Sequence, residues 1–192
     1  MDAKTFSEVK GFFDEETHTI SYVITDKQTN SCAVLDSVLD LDYASGKINY
    51  LNADKIINFI TENNLKLCWL IETHVHADHL SAAPYIQQKL GGKIAISKEI
   101  VKVQEIFGKV FNAGTEFERD GSQFDLLLED GDIYEIGNLR GKALHTPGHT
   151  PACMAHLIED TVFVGDTLFM PDGGTARADF PGGDARTLFR SI

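Results

Sequence analysis

Residues 72–80 read Glu-Thr-His-Val-His-Ala-Asp-His-Leu, ETHVHADHL. Three histidines, His74, His76 and His79, and one carboxylate, Asp78, fall within six positions. The run LKLCWLIET before them is nearly continuously apolar, the pattern of a strand covered on both faces. The run LSAAPYIQQKLGG after them predicts a helix closed by Gly91-Gly92. The cluster therefore stands where a strand hands over to a helix. His74 and His76, two apart on extended chain, would point to the same side and converge on one ion. Asp78 and His79 would reach an adjacent position. Sets of imidazole and carboxylate suit Zn or Fe, and sometimes Mn.

Upstream, Ile20, Tyr22 and Ile24 alternate, KQTNS has turn chemistry and CAVLDS is short and apolar, so residues 19–37 read as a β-hairpin. Ala53, Ile56, Ile57 and Ile60 then fall at helical spacing, with Asn52 as the expected N-cap and Asn63-Asn64 as the end. Downstream, KIAIS reads as a strand and KEIVKVQEIF as a helix. After a polar stretch at 112–123 come the short strands FDLLL, DIYEI, KALHT, ACMAHLI and TVFVG, separated by Gly, Asp or Pro. A hairpin, α/β units and then more β predict sheets with helices on the outside, and not a uniform βαβ repeat. Asp184 would cap a final helix from Ala185.

Two later stretches complete the chemistry. HTPGHT supplies His149 after a Pro-Gly turn, with His145 four residues earlier. VFVGDTLF supplies Asp166 directly after an apolar strand. Both lie at strand-to-loop junctions, where open α/β sheets place ligands. Lone histidines such as His18 and His156 read as surface or internally satisfied groups. The three pieces together predict a metal site, because crowding such groups without a cation is costly.

Composition narrows the rest. The 192 residues suffice for one domain, 1–192, with a sizeable core. The formal net charge of −12 and the absence of a basic cluster argue against nucleic acid as a partner. No apolar run is long enough to span a membrane. The acidic N-terminal stretch MDAKTFSEVKGFFDEETH does not read as a targeting peptide, so a cytoplasmic location is expected. Cys32, Cys68 and Cys153 contain no CxxC pair, and Cys68 and Cys153, in apolar surroundings, read as reduced core residues.

THVHADH, TPGHT and the strand-terminal GD, in that order, resemble the metallo-β-lactamase superfamily. The resemblance implies an α/β (α+β) fold, the αββα sandwich. Two branches fit: the glyoxalase II type, which hydrolyses glutathione thioesters at two metals, and the persulfide dioxygenase type, ETHE1-like and β-lactamase-hydrolase-like, which oxidises glutathione persulfide to sulfite at one iron. ETHVHADHLSAA and GDTLFMPDGGTARADFPGGDARTL look more like the second. That branch implies one Fe(II) held by His74, His149 and Asp166, with His76, Asp78 and His79 around them, and Arg177 on the glutathione moiety. The hydrolase alternative implies two Zn(II), with His74, His76 and His149 on one, Asp78 and His79 on the other, and Asp166 bridging. The superfamily domain continues to a late histidine in a GHDY-like segment that this sequence lacks. A domain truncated at its C-terminus is therefore expected, and a metal-binding but inactive fragment is a third reading. Position 178 is Ala where many dioxygenase relatives have Cys. Relatives of this kind commonly form homodimers.

Overall fold

The computed structural model describes residues 7–192; the first six residues of the acidic N-terminal stretch lie outside the described residues. The described chain forms two compact units. The first holds residues 7–72, 76–94 and 135–140, and the second holds residues 73–75, 95–134 and 141–192. The stretch ETHVHADHL is thus divided, with Thr73, His74 and Val75 in the second unit and the rest in the first.

In the first unit the chain runs β1 (Ser7–Phe13), β2 (Ile20–Asp26), β3 (Ser31–Leu35), β4 (Val38–Asp42), β5 (Lys47–Asn49), α1 (Leu51–Glu62), β6 (Lys66–Ile71), β7 (Leu80–Ser81) and α2 (Ala83–Leu90). Strands β1, β2, β3 and β6 are neighbours in that order. The first three are antiparallel, and β3 pairs in parallel with β6 from Ser31–Lys66 to Leu35–Ile71. A parallel partner requires a crossover, which α1 provides. Its inner face is Ala53, Ile56 and Ile60, as the spacing predicts. Strands β5, β4 and β7 form a separate small sheet.

Several local expectations are corrected here. Asn52 is inside α1, not its cap. The free amides of Leu51 and Asn52 are taken by the side chains of Asn49 and Asp40 (3.1 and 3.0 Å), while Asn52 Nδ2 donates to Asp14 and Asp40, each at 2.7 Å. Strand β2 shows no single apolar face: Ile20 is exposed, and Ser21, Val23, Ile24 and Thr25 are buried, because both sides of the strand are covered. Cys68 is half-buried, whereas Cys32 and Cys153 are core residues. Leu80 and Ser81 pair with Leu39 and Val38 as a strand, so α2 begins only at Ala83. Strands β1, β4 and β5 have no clear signature in the sequence.

In the second unit β8 (Lys93–Ser97), which starts in the first, pairs in parallel with β9 (Leu126–Leu128) through Ala95–Leu126, Ile96–Leu127 and Ser97–Leu128. Between them lies α3 (Ile100–Val110). Ile96, Ile100, Val103 and Ala152 form a buried cluster with Phe107, Phe124 and Leu127 against it. Then β10 (Ile133–Ile136) and β11 (Leu139–His145), whose residues 135–136 and 139–140 are counted with the first unit, and β12 (Met154–Ile158) and β13 (Thr161–Phe163) follow as neighbours in chain order. Helix α4 (Ala185–Ser191) closes the chain, capped as expected by Asp184, whose Oδ1 accepts from the Thr187 amide at 2.7 Å. No helix among the described residues is long and apolar enough to cross a membrane.

Candidate metal centre

Three turns of the second unit bring His74, His149 and Asp166 together. Strand β6 ends at Ile71, and the chain passes irregularly through Thr73 to His74. The Thr73 carbonyl accepts from the Met154 amide at 2.9 Å, which ties this turn to the start of β12. His149 stands on the loop between β11 and β12, which is closed by Thr146 N–H to Cys153 O (3.0 Å), Gly148 N–H to Thr150 O (3.0 Å) and Thr150 N–H to Cys153 Sγ (3.2 Å). Asp166 sits in the helical turn Gly165–Thr167 after β13. Gly165 has φ +50°, and the Thr73 side chain occupies the space a Cβ there would need. The Gly-Asp pair is therefore required by close approach as well as by the turn.

The Nε2 atoms of His74 and His149 lie 3.7 and 3.5 Å from Asp166 Oδ2, and the two rings meet edge to face with centroids 5.0 Å apart. His74 and His149 are buried and Asp166 is half-buried. The three donor atoms lie within 4.8 Å of one another. Atoms that share an ion at about 2.1 Å in tetrahedral or octahedral geometry are separated by about 3.0–3.5 Å, so the set is close to what a cation needs. The tautomer of His149 supports this. Its Nδ1 lies 2.7 Å from the Arg177 carbonyl oxygen, which can only accept. The proton is therefore on Nδ1, and the Nε2 lone pair faces Asp166. Two imidazole nitrogens and a carboxylate converging in a largely buried corner fit a metal ion and have few other uses.

A second group lies in the first unit. Donor atoms of His76, Asp78 and His79 come within 4.8 Å of one another, and so do those of Asp36, Glu72 and His76. His76 Nε2 is 3.2 Å from Asp36 Oδ1 and 3.3 Å from Glu72 Oε2. Burial disfavours the charged ring, but the two carboxylates outweigh it and hold His76 well above the ordinary imidazole value. Ser81 Oγ donates to Glu72 Oε1 at 2.6 Å and accepts from the Ala83 amide at the start of α2. His79 Nδ1 donates to the Leu80 carbonyl at 3.0 Å, while its buried Nε2 makes no hydrogen bond among the described residues. Asp78 is exposed; its Oδ2 accepts from Thr19 Oγ1 at 3.3 Å, and its carbonyl accepts from Tyr43.

The sequence reading of the cluster as extended chain is thus corrected. His74 and His76 lie beyond β6 in irregular chain and enter different donor groups, because Asp36 and Glu72 take His76 by its Nε2. Asp36 and Glu72 went unnoticed in the sequence. Yet Asp36 ends an apolar strand as Asp166 does, and that signal could have found it. Asp36 also has φ +47°, a left-handed conformation that Asp tolerates better than most residues. His145 is spent on the loop, its Nε2 donating to the Pro151 carbonyl at 2.9 Å. His156 is fully buried, with its Nδ1 3.0 Å from Tyr134 Oη. The Arg177 side chain is 63% exposed and forms a two-point pair with Asp179, while its main chain orients His149.

Comparison with known proteins agrees with this geometry. The sequence profile of the metallo-beta-lactamase superfamily matches residues 16–192. A Burkholderia pseudomallei protein named "Probable metallo-hydrolase" is 54% identical over 194 residues, covering 96% of this chain and 66% of its own. Glyoxylase B2 of Dictyostelium discoideum is 46% identical over 188 residues, covering 97% of this chain and 64% of its own. The crystal structure of ETHE1 from Myxococcus xanthus matches with a TM-score of 0.74 at 27% identity, over 96% of this chain and 67% of that one. This chain spans less than two thirds of the length of the two relatives. The chain belongs to the metallo-beta-lactamase superfamily, a superfamily of metal-dependent enzymes, and its mixed α/β architecture is the fold expected from the motifs.

Proposed function

We propose that this superfamily member is a persulfide dioxygenase, which converts glutathione persulfide, O₂ and water to glutathione and sulfite at one iron held by His74, His149 and Asp166. The observation that carries this reading is the trio itself. Two imidazole Nε2 atoms and one carboxylate form a donor set with no fourth protein donor among the described residues. A 2-His-1-carboxylate face leaves open positions for water and two substrates, the arrangement of non-haem iron oxygenases. The likeness to ETHE1 supports the same direction.

A bound iron would supply Lewis acidity toward the persulfide anion and redox chemistry toward O₂. The chain's own groups do the placing. The Arg177 carbonyl keeps the proton of His149 on Nδ1 and so keeps Nε2 a ligand. The Phe180 ring, edge-on to His149 at 5.4 Å, restricts that ring's rotation. Arg177 presents a planar fork that suits a carboxylate of the glutathione moiety.

A second reading, a zinc-dependent thioester hydrolase of the glyoxalase II type, is favoured by the His76, Asp78, His79 group and by the identity to Glyoxylase B2. One experiment separates them. Protein loaded anaerobically with Fe(II) is given glutathione persulfide in an oxygen electrode and sulfite is assayed; a zinc-loaded sample is given S-lactoylglutathione. Oxygen uptake with stoichiometric sulfite and one iron per chain is expected. Thioester cleavage with two zinc ions and no oxygen uptake overturns the proposal. Protein that binds metal but turns over neither substrate supports an inactive fragment.

A further inference from the structure

The loop from Arg177 to Phe180 touches His149 twice, through the Arg177 carbonyl and through the edge of the Phe180 ring. The Arg177 guanidinium lies over that same ring, 4.7 Å from its centroid. The fork is therefore one aromatic ring away from a proposed metal ligand, and it is already filled. Nε donates to Asp179 Oδ1 at 2.6 Å and Nη2 donates to Asp179 Oδ2 at 2.9 Å, the two-point geometry by which a guanidinium recognises any carboxylate. Both side chains are largely exposed, 63% and 69%. An exposed pair of this kind is screened by water and holds only weakly, so an incoming carboxylate of the same shape can replace it. A ligand without a carboxylate has nothing to offer the fork in exchange.

We propose that Asp179 is a specificity-determining residue: an internal carboxylate that occupies Arg177 and must be displaced by the carboxylate of an incoming thiol ligand. The inference rests on the reading that Arg177 receives the ligand's carboxylate. In this arrangement Asp179 sets a threshold. Ligands with a carboxylate exchange with it, and Arg177 stays stacked on Phe180 throughout, so the loop that orients His149 need not move.

The test is a titration of the metal-loaded protein with two probes, glutathione and cysteamine, a thiol that lacks a carboxylate, for wild type, Asp179→Asn and Arg177→Gln. Asn keeps the shape of Asp and removes its charge. Asp179→Asn is expected to bind glutathione up to about 5-fold more tightly. Its cysteamine affinity should be unchanged, and Arg177→Gln should lose most of the glutathione affinity. Unchanged or weaker glutathione binding by Asp179→Asn overturns the proposal, and so does an equal gain for cysteamine, which would indicate a change in loop order alone. The titration needs no turnover. A failure of the dioxygenase reading therefore appears separately, as absence of sulfite with wild-type protein.

Discussion

Gly148, the residue before His149, provides the sharpest test of how the centre is held. Its φ is +144°, a region that residues with a Cβ rarely adopt, and a Cβ there would run into the backbone N and Cα of Leu188 at the second turn of α4. The Gly148 carbonyl also accepts from the Asp184 amide at 2.8 Å, which fixes the loop to the helix start. For Gly148→Ala the backbone conformation costs about 1–3 kcal/mol. Overpacking against α4 adds about 1–3 kcal/mol. Trimming the Leu188 side chain cannot relieve it, because the obstruction is main chain. A total of about 4 kcal/mol in a chain of this length corresponds to a Tm lower by about 8–16 °C. The relaxation that does occur must shift His149 relative to Arg177 and Asp166, so metal affinity should fall by about 10–100-fold, as for other losses of support around a ligand. Thermal unfolding followed by circular dichroism, with metal content measured after dialysis against a competing chelator, checks both effects. A variant that melts within about 2 °C of wild type and retains its full metal would refute the reasoning, since neither the strain nor the contact with α4 would then be real.

Other outcomes follow from groups away from the centre. Asp26 accepts from the Gln28 amide, Thr29 Oγ1 and the Asn138 amide; burial pushes its carboxyl up, but these donors outweigh that and hold it below the ordinary carboxylate range. A lowered pKa in the folded state gives stability that is present above the unfolded value and lost as pH falls through the folded one. Asp26→Asn should therefore cost about 2 kcal/mol in urea unfolding at pH 7, with the gap to wild type closing as acid protonates the wild-type carboxyl; a gap that is constant with pH would refute this. Tyr134 Oη and His156 Nδ1 form a buried bond of 3.0 Å, and burial pushes the phenol up, so Tyr134 keeps its proton. Tyr134→Phe removes that buried bond and should cost about 1–3 kcal/mol in the same assay; no loss would show that the bond contributes nothing. Burial pushes the Cys32 thiol up to about 12, with Cys68 adding to the effect, while Cys68 itself is half-buried. Iodoacetamide at pH 8 should modify Cys68 in native protein and Cys32 only after unfolding, as peptide mass spectrometry would show; equal native rates would count against the buried placement.

The legibility of the fold varied with how local its cause was. α1, α3 and the hairpin β2–β3 follow from spacing and turn residues that act within a few positions, and they stand where the pattern puts them. β4 and β5 do not: VLDLD and KIN have too few apolar residues to announce a strand, and their pairing depends on a hairpin and on Leu80–Ser81 forty residues later. The cap of α1 failed for the same reason. Asn52 has the right chemistry for a cap, but Asp40 and Asn49 are better placed once β4 and β5 exist, and Asn52 becomes free to bridge Asp14 and Asp40. Propensity predicts which residue is able to cap, and tertiary contacts decide which one does.

The same distinction governs the six-residue cluster. Its composition announces a metal site, because few structures have another use for such crowding, but spacing along the chain cannot say which atom of each ring is available. That is decided by what holds the other nitrogen. His149 is held at Nδ1 by a carbonyl 28 residues later, so Nε2 is offered. His79 is held at Nδ1 by its neighbour's carbonyl, so it too offers Nε2. His76 is held at Nε2 by Asp36 and Glu72, so that nitrogen is taken up by carboxylates. Asp36, from a strand forty residues earlier, thus helps to settle whether His76 serves as a ligand or as a fixed neighbour. Counting the ions a chain of this type binds therefore requires counting these outer hydrogen bonds as well as the histidines.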